Sequence, residues 1–173
     1  MKTTIKTTVL AALAVTTATA ALVGMTATAA VADVKVTPLG SHAGEFCVFD
    51  RALIFEDPDG TRILYDAGRT VAGPDDPRLG KIDGILVSHM HGDHAGDRHL
   101  TAPDAGACDK PDVSVKAVPN TNSVNIALKT GAVIMTGSEM PKFFGAKLKA
   151  LGGDPKNSQL VRFGASKKIG GVT

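Results

Sequence analysis

The sequence has no tryptophan and one tyrosine, and aromatic residues make up 4% of its 173 positions. So few aromatics exclude the stacking platforms on which proteins hold single-stranded nucleic acid. Cysteine is nearly absent too. Cys47 and Cys108 are the two, and neither lies in a Cys-x-x-Cys pair or beside a histidine. That excludes a dithiol redox centre and a cysteine-rich metal site. Internal repeats are missing, and no low-complexity segment follows residue 32.

Charge is missing from one long stretch. No charged residue occurs between Lys6 and Asp33. The stretch has a basic start, an apolar middle and small residues at its end, the layout of a secretory leader. Ala30-Val31-Ala32 fits the small-x-small cleavage rule, so residues 1–32 read as a signal peptide and 33–173 as the domain. The run is also long enough to span a bilayer, but its many threonines favour cleavage. Cleavage would remove two of the 19 Lys and Arg residues, leaving them equal in number to the 17 Asp and Glu. No net basic field then remains to attract nucleic acid or an anionic membrane, and no stable membrane association is expected.

The expected location is the periplasm or the exterior, where disulfides persist. A bridge between Cys47 and Cys108 would close a loop of about 60 residues, worth about 4 kcal/mol. The alternative is two separate thiols, with Cys47 in a strand. Hydrophobic residues at 43% and charged residues at 21% suit a packed core rather than disorder. The length suits a single domain.

Strands are expected over 33–40 and on both sides of the turn Asp57-Pro58-Asp59-Gly60, which has the residues of a tight hairpin. Residues 71–80 read as a loop. "KIDGILVSH" (81–89) reads as a buried strand stopping at His89. Further strands are expected over 112–119, 132–137 and from 159, with another starting in the final "GGVT". A short helix is expected over 121–131. The clearest helix is "SEMPKFFGAKLKALGG", with Ser138 as its cap, Pro141 in its first turn and Phe144, Leu148 and Leu151 on one apolar face. Lys167-Lys168 reads as a solvated turn.

"LVSHMHGDHAGD" (86–97) holds three of the five histidines within six positions. In an extended segment His89 and His91 share a face and aim at one point. A tight turn at Gly92 then lets Asp93 and His94 reach a second point close by. Imidazole with carboxylate suits zinc, and also iron or manganese, as one ion or two neighbouring ones. A polar loop with surface histidines is the plainer alternative. The apolar strand leading straight into the cluster argues against it.

"HMHGDHAGD" resembles the HxHxDH signature of the metallo-β-lactamase superfamily. "ILYDAG" and "IDGILVSH" resemble the strands that precede it, and the likeness covers about residues 34 to 137. The resemblance implies an α/β fold, a metallo-β-lactamase-like αββα sandwich with a metal site at one edge of its sheets. It assigns His89 and His91 to a first metal, Asp93 and His94 to a second, and to Asp66 the holding of the signature loop. A turn carboxylate is the alternative for Asp66. The implied cofactor is one or two zinc ions, with iron or manganese as alternatives. The implied chemistry is attack by a metal-bound hydroxide on a small-molecule ester, amide, lactone, thioester or phosphoester bond. Asp93 would be catalytic by orienting the hydroxide, and the metal would stabilise the oxyanion.

The chain departs from the family pattern beyond the signature. The family uses a third histidine on the first metal, a bridging carboxylate and a last histidine on the second. After His94 the chain has only His99, which is too near the signature and expected on a helix surface. Asp154 lies in a Gly-Gly-Asp-Pro turn and is expected to shape it. The chain is therefore expected to be the N-terminal half of such a domain, weakly active at best. Its exposed sheet edge would invite self-association. Three functions follow as expectations: an exported metallo-hydrolase, a non-catalytic metal- or partner-binding fragment, or a mononuclear iron redox enzyme of the same fold. His42, in a Gly-flanked loop, reads as a surface residue that can alternatively line a pocket.

Overall fold

Alternating apolar residues dictate the central element, a mixed sheet with order β1-β2-β3-β4-β9-β10. The computed structural model describes residues 33–42 and 46–173. The expected leader, 1–32, lies outside the described residues. Strands β1 (Lys35–Pro38), β2 (Leu53–Glu56) and β3 (Arg62–Tyr65) form an antiparallel meander. Next to β3, β4 (Gly84–Leu86) runs parallel to it. Helix α1 (Gly92–Ala95) follows. Two small ladders come next. One pairs β5 (Arg98–His99) with β8 (Val115–Lys116), the other β6 (Gly106–Ala107) with β7 (Lys110–Pro111). Helix α2 (Asn122–Thr130) leads to β9 (Val133–Thr136), parallel to β4. Helix α3 (Met140–Ala150) and a single 3-10 turn lead to β10 (Ser158–Leu160), parallel to β9.

Register explains the core. Ile54, Leu64, Ile85 and Ile134 are direct cross-strand partners on one face, and all four are fully buried. Val124, Ile126 and Ala127 of α2 and Phe144 and Leu148 of α3 belong to the same core. The opposite face carries the row Leu53, Tyr65, Leu86 and Met135. The segment after β10 reaches this face. A Cβ on Gly84 would sit 2.8 Å from Ile169 Cδ1, and Gly171 N donates to Thr61 Oγ1 at 3.0 Å.

The hairpin turn forms as its residues dictate. Asp57 Oδ1 accepts from Thr61 N at 2.7 Å, and Gly60 takes φ +80. Cys47 and Cys108 are joined by a disulfide with Cα atoms 4.8 Å apart. Cys47 lies in a loop rather than a strand. Asp154 Oδ1 accepts from Lys156 N and closes its turn.

Several expectations need correction. Residues 112–119 contribute only the two-residue β8, which pairs with β5 outside the main sheet; the alternation of Val113, Val115 and Ala117 sets which side chains share a face but not which strand they pair with. Ser138 does not cap α3. It takes φ +54, and Glu139 stands at the cap position, where its carboxylate makes no capping bond and instead lies 3.0 Å from Lys142 Nζ. Leu151 is half exposed, since α3 ends at Ala150 and the chain turns away. His99 lies in β5 rather than on a helix. The final "GGVT" closes a turn through an Ile169–Val172 bridge and starts no strand. None of the described helices is long and apolar enough to cross a membrane.

Candidate metal centre

Parallel strands place their carboxyl ends along one sheet edge, the usual position for sites in α/β sheets. Asp66 directly follows β3, and 87–91 follow β4. The motif loop is pinned by α2, whose N-terminal residues bond to it. Asn122 N donates to Gly96 O at 2.7 Å, and Ser123 Oγ to Ala95 O at 3.0 Å. Asn122 Nδ2 reaches Val71 O at 2.9 Å, and Gly68 N donates to His94 O at 2.9 Å.

Glycines let these backbones meet. Gly96 takes φ +81, and a Cβ there would lie 2.4 Å from Asn122 Cβ and 2.6 Å from Gly68 O. The left-handed residue of the motif is Gly96, while the tight turn expected at Gly92 is the start of α1. Gly92 opens α1, and its missing Cβ makes room for the Asp97 carboxylate, which a Cβ would approach to 2.5 Å at Oδ1.

The three histidines come together. The His89 ring lies 4.5 Å from that of His91 and 4.0 Å from that of His94, centroid to centroid. Asp66 is fully buried beneath them and takes φ +43. Its Oδ1 accepts from Ser88 N at 2.8 Å, and its Oδ2 from Ser88 Oγ at 2.7 Å. The same Oδ2 lies 2.7 Å from His94 Nδ1. A carboxylate only accepts, so His94 Nδ1 carries the proton and Nε2 keeps its lone pair. That Nε2 lies 3.6 Å from Asp93 Oδ2.

Charge around the cluster is balanced by arginines that sequence reasoning missed. Arg51 stands 3.6 Å from Asp93 Oδ2. Arg69 forms a two-pronged pair with Asp97 at 2.8 and 3.1 Å and lies over the Phe49 ring. The Arg69 hydrogen bond holds the Asp97 carboxyl below its ordinary value despite partial burial. Asp97 is thereby committed to Arg69. His99 stands apart from the cluster, its Nδ1 bonded to Leu100 O at 2.8 Å. His42 is half-buried, and its Nδ1 has no hydrogen-bond partner among the described residues.

Among the described residues, no group of three or more His, Cys, Asp or Glu side chains is arranged to hold a metal ion. The donor chemistry does fit one. An imidazole whose Nδ1 is tied to a buried carboxylate presents a lone pair on Nε2, the arrangement found behind metal-bound histidines. Beside the cluster a groove of about 840 Å³ opens over the ends of β4, β9 and β10. Ser88 belongs to both. The groove wall is largely apolar, with Tyr65, Leu86, Met135, Met140 and Leu160.

Ser88 was the residue missed in the motif. The only signal for it is its place directly before His89. No protein-family model matches the chain, and no curated protein or solved structure is a significant match.

Proposed function

We propose that the chain is a metallo-β-lactamase-type, metal-dependent hydrolase, exported from the cell and acting on a small molecule with an ester, amide or lactone-type bond. The αββα sandwich belongs to the same proposal. The observation that carries it is the buried Asp66 carboxylate holding His94 by Nδ1 while Nε2 points to the Asp93 side.

In this reading His89, His91, Asp93 and His94 hold the metal, zinc first, with iron or manganese suiting the same donors. When bound, zinc supplies a nucleophile at neutral pH and polarises the substrate carbonyl. The protein does the rest. Asp66 and Ser88 N–H fix the loop that carries the imidazoles, and Asp93 is set to accept a proton from an attacking water. Arg51, half exposed beside Asp93, is placed to meet an anionic group on a substrate or product. The groove next to Ser88 supplies an apolar wall for the substrate body.

The second reading is a non-catalytic metal- or partner-binding chain. Its partner-binding form is favoured by the edge of the sheet at β10. Among the described residues no strand pairs with the outer edge of β10, which leaves that edge to pair with a second copy.

One experiment separates the two. The purified chain is loaded with zinc, manganese or ferrous iron, and its metal content is measured beside hydrolysis of a panel of lactones, esters and amides. The hydrolase reading expects bound zinc and turnover that both vanish in His89→Ala and His94→Ala. Bound metal without turnover favours the second reading, and one tightly held iron favours a redox member of the fold. Metal content equal in wild type and both variants would sink the metal centre altogether.

A further inference from the structure

The Ser88 hydroxyl sits between three acceptors and donors at once. Its Oγ is 2.7 Å from Asp66 Oδ2, 3.0 Å from His89 Nδ1 and 3.2 Å from His94 Nδ1. A serine hydroxyl has one proton to donate and two lone pairs to accept with. The Asp66 carboxylate cannot donate, and it is the nearest partner. The proton of Ser88 therefore goes to Asp66 Oδ2. That leaves Ser88 Oγ as an acceptor toward His89. His89 must then carry its proton on Nδ1, which leaves the lone pair on Nε2. Had Ser88 donated to His89 instead, Nε2 would carry the proton and His89 could not ligate through it.

We propose that Ser88 is a positioning residue. It passes the tautomer set by Asp66 to a second imidazole, so that one buried carboxylate prepares both His94, directly, and His89, through the hydroxyl. The metal part of this inference rests on the proposed reading of His89 and His94 as ligands. The proton arrangement does not.

Geometry favours a test without loss of fold. Ser88 is exposed, so a larger side chain has room. Its backbone N–H keeps the 2.8 Å bond to Asp66 Oδ1 in any variant. Threonine and valine have the same shape at this position, but only threonine keeps the hydroxyl. The comparison of Ser88→Thr with Ser88→Val thus isolates one hydrogen-bonding group.

The first measurement is the ring-nitrogen NMR spectrum of the metal-free chain at mildly alkaline pH, where free imidazole is neutral. Wild type and Ser88→Thr are expected to show His89 and His94 both protonated on Nδ1. Ser88→Val is expected to keep that pattern for His94 and to lose it for His89. The second measurement is zinc affinity by competition with a chromophoric chelator. Ser88→Val is expected to bind roughly 10-fold more weakly, the usual cost of removing such a supporting group, and Ser88→Thr to match wild type. A His89 pattern unchanged in Ser88→Val overturns the proposal, as does a Ser88→Thr variant that behaves like Ser88→Val. The ring-nitrogen pattern judges Ser88, and zinc uptake by wild type judges the metal reading, so the two fail separately.

Discussion

Asp66 Oδ2 and His94 Nδ1 lie 2.7 Å apart, although 28 residues separate them in the chain. The contact joins the end of β3 to α1 and makes one buried carboxylate the anchor of the whole motif loop. Asp66→Asn keeps the shape but replaces an acceptor-only oxygen pair with a group that also donates. Its amide oxygen can accept from His94 Nδ1 only if its NH2 group faces the Ser88 backbone N–H, donor against donor. We expect zinc affinity to fall roughly 10-fold or more and stability by about 1–3 kcal/mol. Chelator competition and urea unfolding measure the two. An affinity unchanged in Asp66→Asn would remove Asp66 from the site.

Gly96→Ala tests the seam between the motif loop and α2. The new methyl group would meet Asn122 Cβ at 2.4 Å and the Gly68 carbonyl at 2.6 Å, at φ +81. Both the backbone conformation and the overlap cost energy, together about 2–4 kcal/mol. Thermal unfolding should show this loss. Histidine ring signals should shift as well, because the same backbone carries His94. Gly131→Ala is the control, since φ there is +76 but nothing lies within 4 Å of a Cβ. It should cost only the backbone part.

The Cys47–Cys108 bridge closes a loop with a sequence separation of 61. It ties the segment before β2 to the β6–β7 ladder. Neither cysteine belongs to the sheet core around Ile54 and Ile134. A Cys47→Ala, Cys108→Ala double variant should therefore keep its far-ultraviolet circular dichroism and lose about 4 kcal/mol in urea unfolding. Wild type in reductant should match it. Equal midpoints for oxidised and reduced wild type would show that the bridge contributes nothing.

Asp76 governs a pH dependence. Burial pushes its carboxyl up, but the Arg78 guanidinium and the backbone N–H groups of Ala72 and Arg78 outweigh burial and hold it below the ordinary value of 3.8. The folded state thus binds its proton less readily than the unfolded chain. The resulting stability is complete above about pH 4 and is lost as pH falls through the lower, folded-state value. Asp76→Asn should be less stable than wild type near neutrality by about 2 kcal/mol. That gap should narrow as pH drops below about 4. Urea midpoints across the acid range give the answer, and a gap that widens toward acid would reverse the sign of the argument.

The elements easiest to read were those whose signal is local. Asp57-Pro58-Asp59-Gly60 makes its own turn through the Asp57 carboxylate and a positive φ at Gly60. Helix α2 ends where Gly131 takes φ +76, and α3 starts with Pro141 in its first turn. The row Ile54, Leu64, Ile85 and Ile134 follows from alternation within each strand. Residues 112–119 misled because alternation alone does not say which sheet will accept a strand. Ser138 misled because a cap needs a side chain aimed at the helix, and φ +54 turns its backbone away.

By itself, then, the chain's order of residues determined the histidine cluster at 89–94, the hairpin and the end of α2 at Gly131, because each depends on neighbours a few positions apart. It could not determine which nitrogen of each imidazole keeps its lone pair. That is decided by a carboxylate on another strand and a hydroxyl at the end of β4, brought within 3 Å only when β3 and β4 pair side by side. Proton position is a property of contacts across space, and those contacts exist only in the folded sheet.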